Sequence, residues 1–134
     1  MSDLRSFARE RLSNIRKLGS DKKLRRLALN FLAQSSKYKY SYNFDWLGLP
    51  IIQFPQDIMA MQGIVWKVKP DLIVETGVAR GGSVIFYASL LEMLGGNGKV
   101  VGIDIDIRSH NRKKIQAHPL YKTGRIILLE GSST

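Results

Sequence analysis

The stretch that decides the fold reads Asp71-Leu-Ile-Val-Glu75-Thr-Gly77-Val-Ala79-Arg-Gly81-Gly82-Ser83. A short apolar run behind a proline is typical of a strand in a parallel sheet that is buried on both faces. The glycine-rich turn after it suits a tight connection from strand to helix, where positive φ angles are needed. It also leaves the first amides of the next helix facing whatever lies above the turn. The sequence predicts a strand, this turn, and a helix from Ser83 to about Leu94.

The elements that follow continue the same alternation of strand and helix. A second strand is predicted over 99–104, a short basic helix around 109–117 and a third strand over 125–130. This order is one βαβαβ half of a doubly wound parallel sheet, an α/β Rossmann-like fold. The first strand of such a half lies centrally, yet no further strand follows the third. We therefore expect a fold truncated after its third parallel strand, whose open strand edge favours either self-association into a homo-oligomer or poor solubility.

The region before this half predicts helices and an aromatic arm. Apolar residues recur with helical spacing from Asp3 to about Gln34, and Gly19-Ser20-Asp21 interrupts them, so that Ser20 or Asp21 caps a second helix. Aromatic residues at 38, 40, 42, 44 and 46 predict an extended arm with five rings on one side. These rings either line a ligand or pack the arm onto the body. Pro55 predicts the start of a further helix. The expected domains are a basic helical segment with the aromatic arm (1–45) and the first half of the Rossmann-like domain (46–134).

Composition limits the classes of function. The 134 residues include no cysteine, which excludes disulfides, thiolate metal sites and cysteine nucleophiles. The charge is +7 in residues 1–45 and +3 in residues 46–134, so a basic segment precedes a nearly neutral body. Its Lys and Arg residues either contact an anionic surface or form the solvated face of amphipathic helices. No apolar run is long enough to span a membrane and no signal peptide is present, which predicts a cytoplasmic protein.

The residues at and just after the strand ends carry the chemistry. Glu75 ends the first strand, where a carboxylate would repel a pyrophosphate and attract a cationic amino-acid moiety such as that of S-adenosylmethionine. Ala79 replaces the glycine that lets a pyrophosphate approach a dinucleotide-binding turn. Asp104 ends the second strand at the spacing of a residue that accepts hydrogen bonds from ribose hydroxyls. Asp106 either caps the next helix or assists at the ribose, and Ser132 either faces an adenine or belongs to a polar turn.

Two other functions compete with the binding of S-adenosylmethionine at this point. An NAD-type oxidoreductase shares the βαβαβ layout but is disfavoured by Glu75 and Ala79. A nucleic-acid binding module would use the basic charge and the aromatic series, but the uneven charge makes a nucleic-acid partner the weaker hypothesis. His110, Asn111 and His118 flank the short basic helix, where a histidine is more often structural than catalytic.

Longer strings resemble the cephalosporin hydroxylase family. They are Asn43-Phe-x-Trp-Leu-Gly-x-Pro-Ile-Ile-Gln-x-Pro-Gln-Asp57, Trp66-Lys-x-Lys-Pro-Asp-Leu-Ile-Val-Glu-Thr-Gly77, Gly81-Gly-Ser83, and Gly102-Ile-Asp-Ile-Asp-Ile-Arg108 with Asn111-Arg112. The resemblance covers about residues 38–134. That family is similar to class I S-adenosylmethionine-dependent methyltransferases, including rhamnosyl O-methyltransferases. It implies an enzyme that methylates a hydroxyl of a sugar or small metabolite.

Carried over by position, the resemblance implies a set of cofactor-binding residues: Glu75, Gly77, Ala79, Gly81, Gly82, Ser83, Asp104, Ile105, Asp106 and Ser132. It also implies that Gln53, Pro55, Gln56 and Asp57 lie near the cofactor or substrate entrance. Family members continue beyond the matched stretch, and that part would supply the catalytic base and, in some members, acidic ligands of Mg²⁺. No catalytic residue and no metal ligand is therefore predicted within this chain, which we expect to be inactive alone.

Overall fold

The computed structural model describes residues 2–132, and the chain divides into two compact units, Met1–Tyr40 and Ser41–Thr134. The first unit consists of helix α1 (Ser2–Ser20), helix α2 (Lys22–Ser35) and a 3-10 turn (Ser36–Tyr38). Asp21 separates the helices as the sequence predicts: it is the N-cap of α2, and its carboxylate accepts from the Leu24 amide at 2.9 Å. No helix in residues 2–132 is long and apolar enough to cross a membrane.

The prediction of an extended aromatic arm is wrong for its first half. Tyr38 and Tyr40–Tyr42 lie in two 3-10 turns, and Lys39 between them has a φ of +50°. This chain reversal is stabilised locally, because the Lys39 amide donates to the Ser36 carbonyl at 2.9 Å. The Tyr40 ring also packs edge-on against Phe31 at 5.4 Å between centroids. Only the last two aromatic residues of the series therefore lie in an extended strand, β1 (Phe44–Trp46).

The second unit begins with a short hairpin that the sequence analysis does not predict. Strand β1 pairs antiparallel with β2 (Leu49–Ile51). Leu47 and Gly48 form the turn and both have positive φ, as the two central residues of a type I′ hairpin turn must. Helix α3 (Pro55–Val68) follows, with Pro55 in its first turn as predicted.

A three-stranded parallel sheet forms the centre of this unit. Strands β3 (Leu72–Thr76), β4 (Lys99–Asp104) and β5 (Ile126–Glu130) lie in that order, and helix α4 (Gly82–Leu94) connects the first two. Helices α5 (Ser109–Ala117) and α6 (Pro119–Lys122) connect the second and third. The register places Glu75 opposite Gly102 and Asp104 opposite Glu130. The predicted βαβαβ order is confirmed, as is the fold class, a Rossmann-like α/β arrangement preceded by helices.

The core of this unit is built around α4, which is apolar on all sides and buried along most of its length. Phe86 is fully buried, and the Trp46 ring packs edge-on against it at 4.9 Å. The Trp46 indole NH donates to the Ser89 hydroxyl at 3.1 Å, so the hairpin is joined to the helix by packing and by a hydrogen bond. The buried hydrophobic residues are Leu49, Ile51, Val65, Val78, Val84, Ile85, Phe86, Tyr87, Ala88, Leu90, Leu91, Val100, Ile107, Ile115 and Ile126.

One face of the parallel sheet is open, which corrects the prediction of strands buried on both faces. Gly102 packs toward Val84 of α4, so this helix covers one side of the sheet. On the other side Leu72, Val74, Ile127 and Leu129 are 43–56% exposed. The apolar runs are typical of a doubly covered sheet because both faces carry large aliphatic side chains. Within residues 2–132 no element buries the second of these faces.

Candidate functional site

The carboxyl ends of the three parallel strands meet at one edge of the sheet, where the predicted site residues converge. Thr76, Gly77 and Asp104 come from the ends of β3 and β4, and Ser132 follows β5. Together with Ile103, Ile105 and Gly131 they line a cavity of about 320 Å³. In open α/β sheets the crevice beyond the carboxyl ends of the strands is where ligands bind. Four of the predicted cofactor-binding residues therefore share one cavity: Gly77, Asp104, Ile105 and Ser132.

Glu75 lies on the opposite side of β3 from Thr76, facing the start of α4. Burial raises the pKa of its carboxyl from 4.5 to about 7, and a hydrogen bond from the Ser83 side chain lowers it by a smaller amount. The buried Oε2 atom has no hydrogen-bond partner in the part of the chain that is described. A buried carboxylate oxygen without a donor is costly, and a cation or a hydrogen-bond donor at this position would offset that cost.

Tyr87 and Gln53 extend the surroundings of Glu75. Burial raises the pKa of the Tyr87 hydroxyl, the charge of Glu75 raises it further, and a hydrogen bond with Gln53 lowers it. Gln53 precedes α3, while Ser83 and Tyr87 lie one helical turn apart on α4. Three segments of the second unit therefore meet around one carboxyl group.

Asp104 is held in place by the backbone of the glycine-rich turn. Its Oδ2 accepts from the Ala79 amide at 3.1 Å, and its Oδ1 accepts from the Asp106 amide at 3.3 Å. Burial raises the pKa of this carboxyl, but hydrogen bonds from the amides of Ala79, Asp106, Val78 and Ile105 together lower it below the ordinary value. The group is therefore an anion at neutral pH, and its two oxygens retain lone pairs for further donors.

Ala79 adopts a φ of +46°, a conformation that non-glycine residues rarely adopt. Two hydrogen bonds fix it there. Its amide donates to Asp104, and its carbonyl accepts from the Asn111 side-chain amide at 2.9 Å. Asn111 is a buried residue of α5, so this helix helps to hold the turn in place. Among the predicted site residues, Ala79 thus acts through its backbone.

The glycines of the turn differ in what surrounds them. Gly77 has a φ of +89° and open space where a side chain would lie, as a turn that admits a ligand requires. A Cβ on Gly81 would instead lie 2.3 Å from the Ile115 side chain, and one on Gly82 would lie 2.3 Å from the Pro50 carbonyl oxygen. Gly81 and Gly82 therefore allow α5 and the hairpin to pack closely against the turn, a role that sequence analysis misses. That they hold a cofactor remains a prediction.

A second cavity, of about 400 Å³, lies on the other side of Asp104. The residues that line it are Ile52, Ala79, Arg80, Asp104, Ile105, Asp106, Arg108, His110 and Asn111. Asp106 and His110 are exposed here, and Asp106 makes its backbone contact with Asp104 instead of capping α5, whose N-cap is Arg108. Ile105 is largely exposed between the two cavities and offers each an apolar wall.

His118 has a structural role, as the sequence analysis favours. Its Nδ1 accepts from the Leu120 amide at 3.2 Å, and its Nε2 lies 3.1 Å from the Leu47 carbonyl, to which it donates as the Nε2–H tautomer. It thereby caps α6 and holds the hairpin turn. No group of three or more His, Cys, Asp or Glu residues that could hold a metal ion occurs in residues 2–132.

Sequence reasoning missed Tyr87 as a member of the site. The signal was present: Ser83 and Tyr87 are four residues apart at the start of a helix, and so share one helical face above the end of β3. Gln53 was included only by resemblance, and the contact with Tyr87 gives it a physical reason. Asn111 was named without its role, because its partner is a backbone atom that is 32 residues away in the sequence.

Comparison with known proteins identifies relatives that share this architecture. The family model described as "Rhamnosyl O-methyltransferase/CmcI" matches residues 38–134. A rhamnosyl O-methyltransferase of Mycobacterium leprae (strain TN) is 29% identical over 89 residues, which are 66% of this chain and 36% of that relative.

Solved structures of CmcI have a similar fold. One with SAH is 28% identical at a TM-score of 0.55, over 66% of this chain and 43% of that chain. Another, with Mg and SAM, is 27% identical at a TM-score of 0.57, over 69% of this chain and 37% of that chain. The present chain spans less than half the length of these relatives. The comparisons do not favour the oxidoreductase or nucleic-acid alternatives.

Proposed function

Because the chain belongs to the rhamnosyl O-methyltransferase/CmcI family, we propose that it forms the cofactor-binding part of an S-adenosylmethionine-dependent O-methyltransferase. The proposed acceptor is a hydroxyl of a sugar or another small metabolite. The relatives support this class of substrate, since one is named as a rhamnosyl O-methyltransferase. When bound, S-adenosylmethionine supplies an electrophilic methyl group on a sulfonium centre, and this chain's residues bind and orient it.

The observation that carries the proposal is the unpartnered oxygen of Glu75. The amino-acid end of S-adenosylmethionine carries an ammonium group, which would donate hydrogen bonds to Oε2 and compensate its burial. The ammonium charge would also lower the pKa of the Glu75 carboxyl, which lies at about 7 without a ligand. An NAD pyrophosphate at the same place would be repelled instead. Glu75 therefore favours S-adenosylmethionine over a dinucleotide.

Asp104 is proposed to hold the ribose. The Ala79 and Asp106 amides already fix its carboxylate, so binding of the two ribose hydroxyls would cost little further side-chain entropy. Ser132 and Ile105 lie in the same cavity, and we assign them to the adenine. Gly77 follows Glu75 by two residues and lines this cavity with open space above it, so the cofactor would pass over it.

Alignment is the contribution that this chain would make to methyl transfer. Holding the methyl donor in one orientation converts an encounter between two molecules into a reaction within one complex. The proton of the acceptor hydroxyl needs a base that these residues do not identify. We therefore propose binding and orientation as the role of the chain, with the base supplied elsewhere in the whole enzyme.

Calorimetric titration with S-adenosylhomocysteine at pH 8 tests the proposal on the chain as it is. We expect binding by the native chain, and a dissociation constant about 10 to 100 times higher for Glu75→Gln, because a charge-assisted hydrogen bond contributes about 1.5–3 kcal/mol. The matched control is Glu10→Gln, which removes the same charge from exposed α1 and should leave the affinity unchanged.

The pH dependence of that affinity separates Glu75 from other contacts. Since the pKa of Glu75 is about 7 without ligand and a bound ammonium lowers it, binding should tighten from pH 6 to pH 8 and should release fewer protons at the higher pH. Glu75→Gln should flatten this dependence. Equal affinity of the native chain and Glu75→Gln at both pH values would refute the assignment, and preferential binding of NAD would refute the choice of cofactor.

A further inference from the structure

The first unit presents two amphipathic helices whose apolar faces are uncovered. In α1 an apolar stripe consists of Leu4, Phe7, Leu12, Ile15 and Leu18, which are 53–76% exposed. None of the residues of α2 is buried, although Leu24, Leu27 and Phe31 recur at helical spacing. Helices of this length are marginally stable in water unless an apolar face is packed. These stripes are therefore arranged for a partner outside the unit.

The charges beside the stripe indicate the chemistry of that partner. Residues 2–40 contain eleven Lys and Arg against Asp3, Glu10 and Asp21. Arg9 and Arg16 are two helical turns apart, and together with Leu12 they line one groove on α1. The ion pairs found within residues 2–132 involve other basic residues, Arg112 and Arg125, so the basic side chains of α1 and α2 are not neutralised internally. An anionic partner fits them.

We propose that α1 and α2 bind the surface of an anionic lipid bilayer. A helix with an aliphatic stripe bordered by basic residues lies in the interface between headgroups and acyl chains, and its Lys and Arg side chains pair with lipid phosphates. Both features of the helices are then used at once. Long arginine side chains near the stripe reach the headgroups while their methylene groups stay beside the apolar side chains.

Other occupants use only one of the two features. A nucleic acid would satisfy the charge but would leave Leu4, Ile15 and Leu18 uncovered, because its outer surface is a phosphate backbone. A second copy of the chain would cover the stripe but would bring two strongly basic helices together. The bilayer accounts for the stripe and the charge together, and it does so without a spanning helix.

Co-sedimentation of the full chain with lipid vesicles tests this proposal. We expect binding to vesicles of phosphatidylcholine mixed with phosphatidylserine, much weaker binding to phosphatidylcholine alone, and release by high salt. The double variant Leu12→Gln/Ile15→Gln should bind at least about tenfold more weakly because it loses buried apolar area. Its control, Ser6→Gln, introduces the same side chain on the opposite face of α1 and should bind like the native chain.

A charge variant completes the design. Arg9→Gln/Arg16→Gln should weaken binding by roughly fivefold for each charge removed. Leu12, Ile15, Arg9 and Arg16 are all exposed, so their substitution should leave the thermal transition of the second unit unchanged. An unchanged transition would show that a loss of vesicle binding does not come from unfolding.

Three results would overturn the proposal. The first is equal binding to neutral and anionic vesicles, or none to either. The second is binding of single-stranded DNA that outcompetes the vesicles and survives Leu12→Gln/Ile15→Gln, which would identify a nucleic acid. The third is a chain that dimerises in sedimentation equilibrium and becomes monomeric in that variant, which would identify a second copy.

Discussion

The two units of this chain use similar apolar residues in opposite ways. In the second unit α4 is apolar on all sides, and it is buried by the sheet and the β1–β2 hairpin. In the first unit α1 is apolar along one stripe, and that stripe is exposed. Both segments form helices, so the difference lies in the elements that surround each of them. The second unit has a hydrophobic core of its own, whereas none of the described residues of α1 and α2 is buried.

The largest expected effect separates the units by a matched pair of substitutions. Phe86 is fully buried and Phe7 is 63% exposed. Phe86→Ala should lower the free energy of unfolding by about 3–5 kcal/mol because it leaves a cavity beside Trp46. Phe7→Ala should change it by no more than about 0.5 kcal/mol. Urea denaturation of both variants checks this, and similar losses would show that unit one also has a packed core.

The second prediction concerns the cost of keeping Glu75 in the site. Between pH 4.5 and about 7 the folded chain holds the Glu75 proton and the unfolded chain does not, so stability falls as pH rises through this window and then levels off. The fall amounts to about 3 kcal/mol. Glu75→Gln should remove it and make the chain more stable than the native one at pH 8. An identical pH profile of both proteins in urea denaturation would contradict the burial of this carboxyl.

The third prediction tests the close approach of the hairpin to the glycine turn. A Cβ on Gly82 would lie within 2.7 Å of three backbone atoms of Pro50 and Ile51, whereas Gly63 in α3 has open space and ordinary helical φ. Gly82→Ala should destabilise the chain by about 1–3 kcal/mol. Gly63→Ala should stabilise it by about 0.5–1 kcal/mol through helix propensity. Thermal melts of the two variants test this prediction. A change of stability in the same direction for both would argue against close packing as the role of Gly82.

The smallest expected effect lies in the first unit. Asp21→Ala removes the N-cap of α2 and should cost about 1 kcal/mol of helix stability, seen as a loss of helical signal in far-UV circular dichroism. Ser20→Ala is the control, because the Ser20 hydroxyl donates back to the Lys17 carbonyl and does not cap α2. A larger loss for Ser20→Ala than for Asp21→Ala would reverse the assignment of the cap.

Local signals in the sequence were sufficient for much of the fold. The helix break at Asp21, the start of α3 at Pro55 and the alternation of strand and helix from Leu72 onward all depend on residues within a few positions of each other. The aromatic arm was predicted wrongly because the spacing of the rings does not signal the left-handed conformation of Lys39 or the 3-10 turns on either side of it. The hairpin was missed because Leu47-Gly48 lacks the usual Asn-Gly or Asp-Gly signal.

The candidate site was predictable at the strand ends and less so elsewhere. The position of Glu75 and Asp104 at one edge of the sheet follows from the predicted topology, because parallel strands bring their carboxyl ends together. The contribution of Tyr87 and the packing of Gly81 and Gly82 depend on contacts between distant segments, which no local pattern reveals. The exposure of one face of the sheet could not be predicted either, because the aliphatic residues on that face are typical of a face that is covered by helices.

The central claim is that the strand-end edge of unit two forms a site for S-adenosylmethionine. The most direct test is a thermal melt of the chain alone, with S-adenosylhomocysteine and with NAD. We predict a cooperative transition that S-adenosylhomocysteine alone raises, by about 2.7 kcal/mol of stability at a hundred times its dissociation constant. A transition raised by NAD and not by S-adenosylhomocysteine would contradict the account.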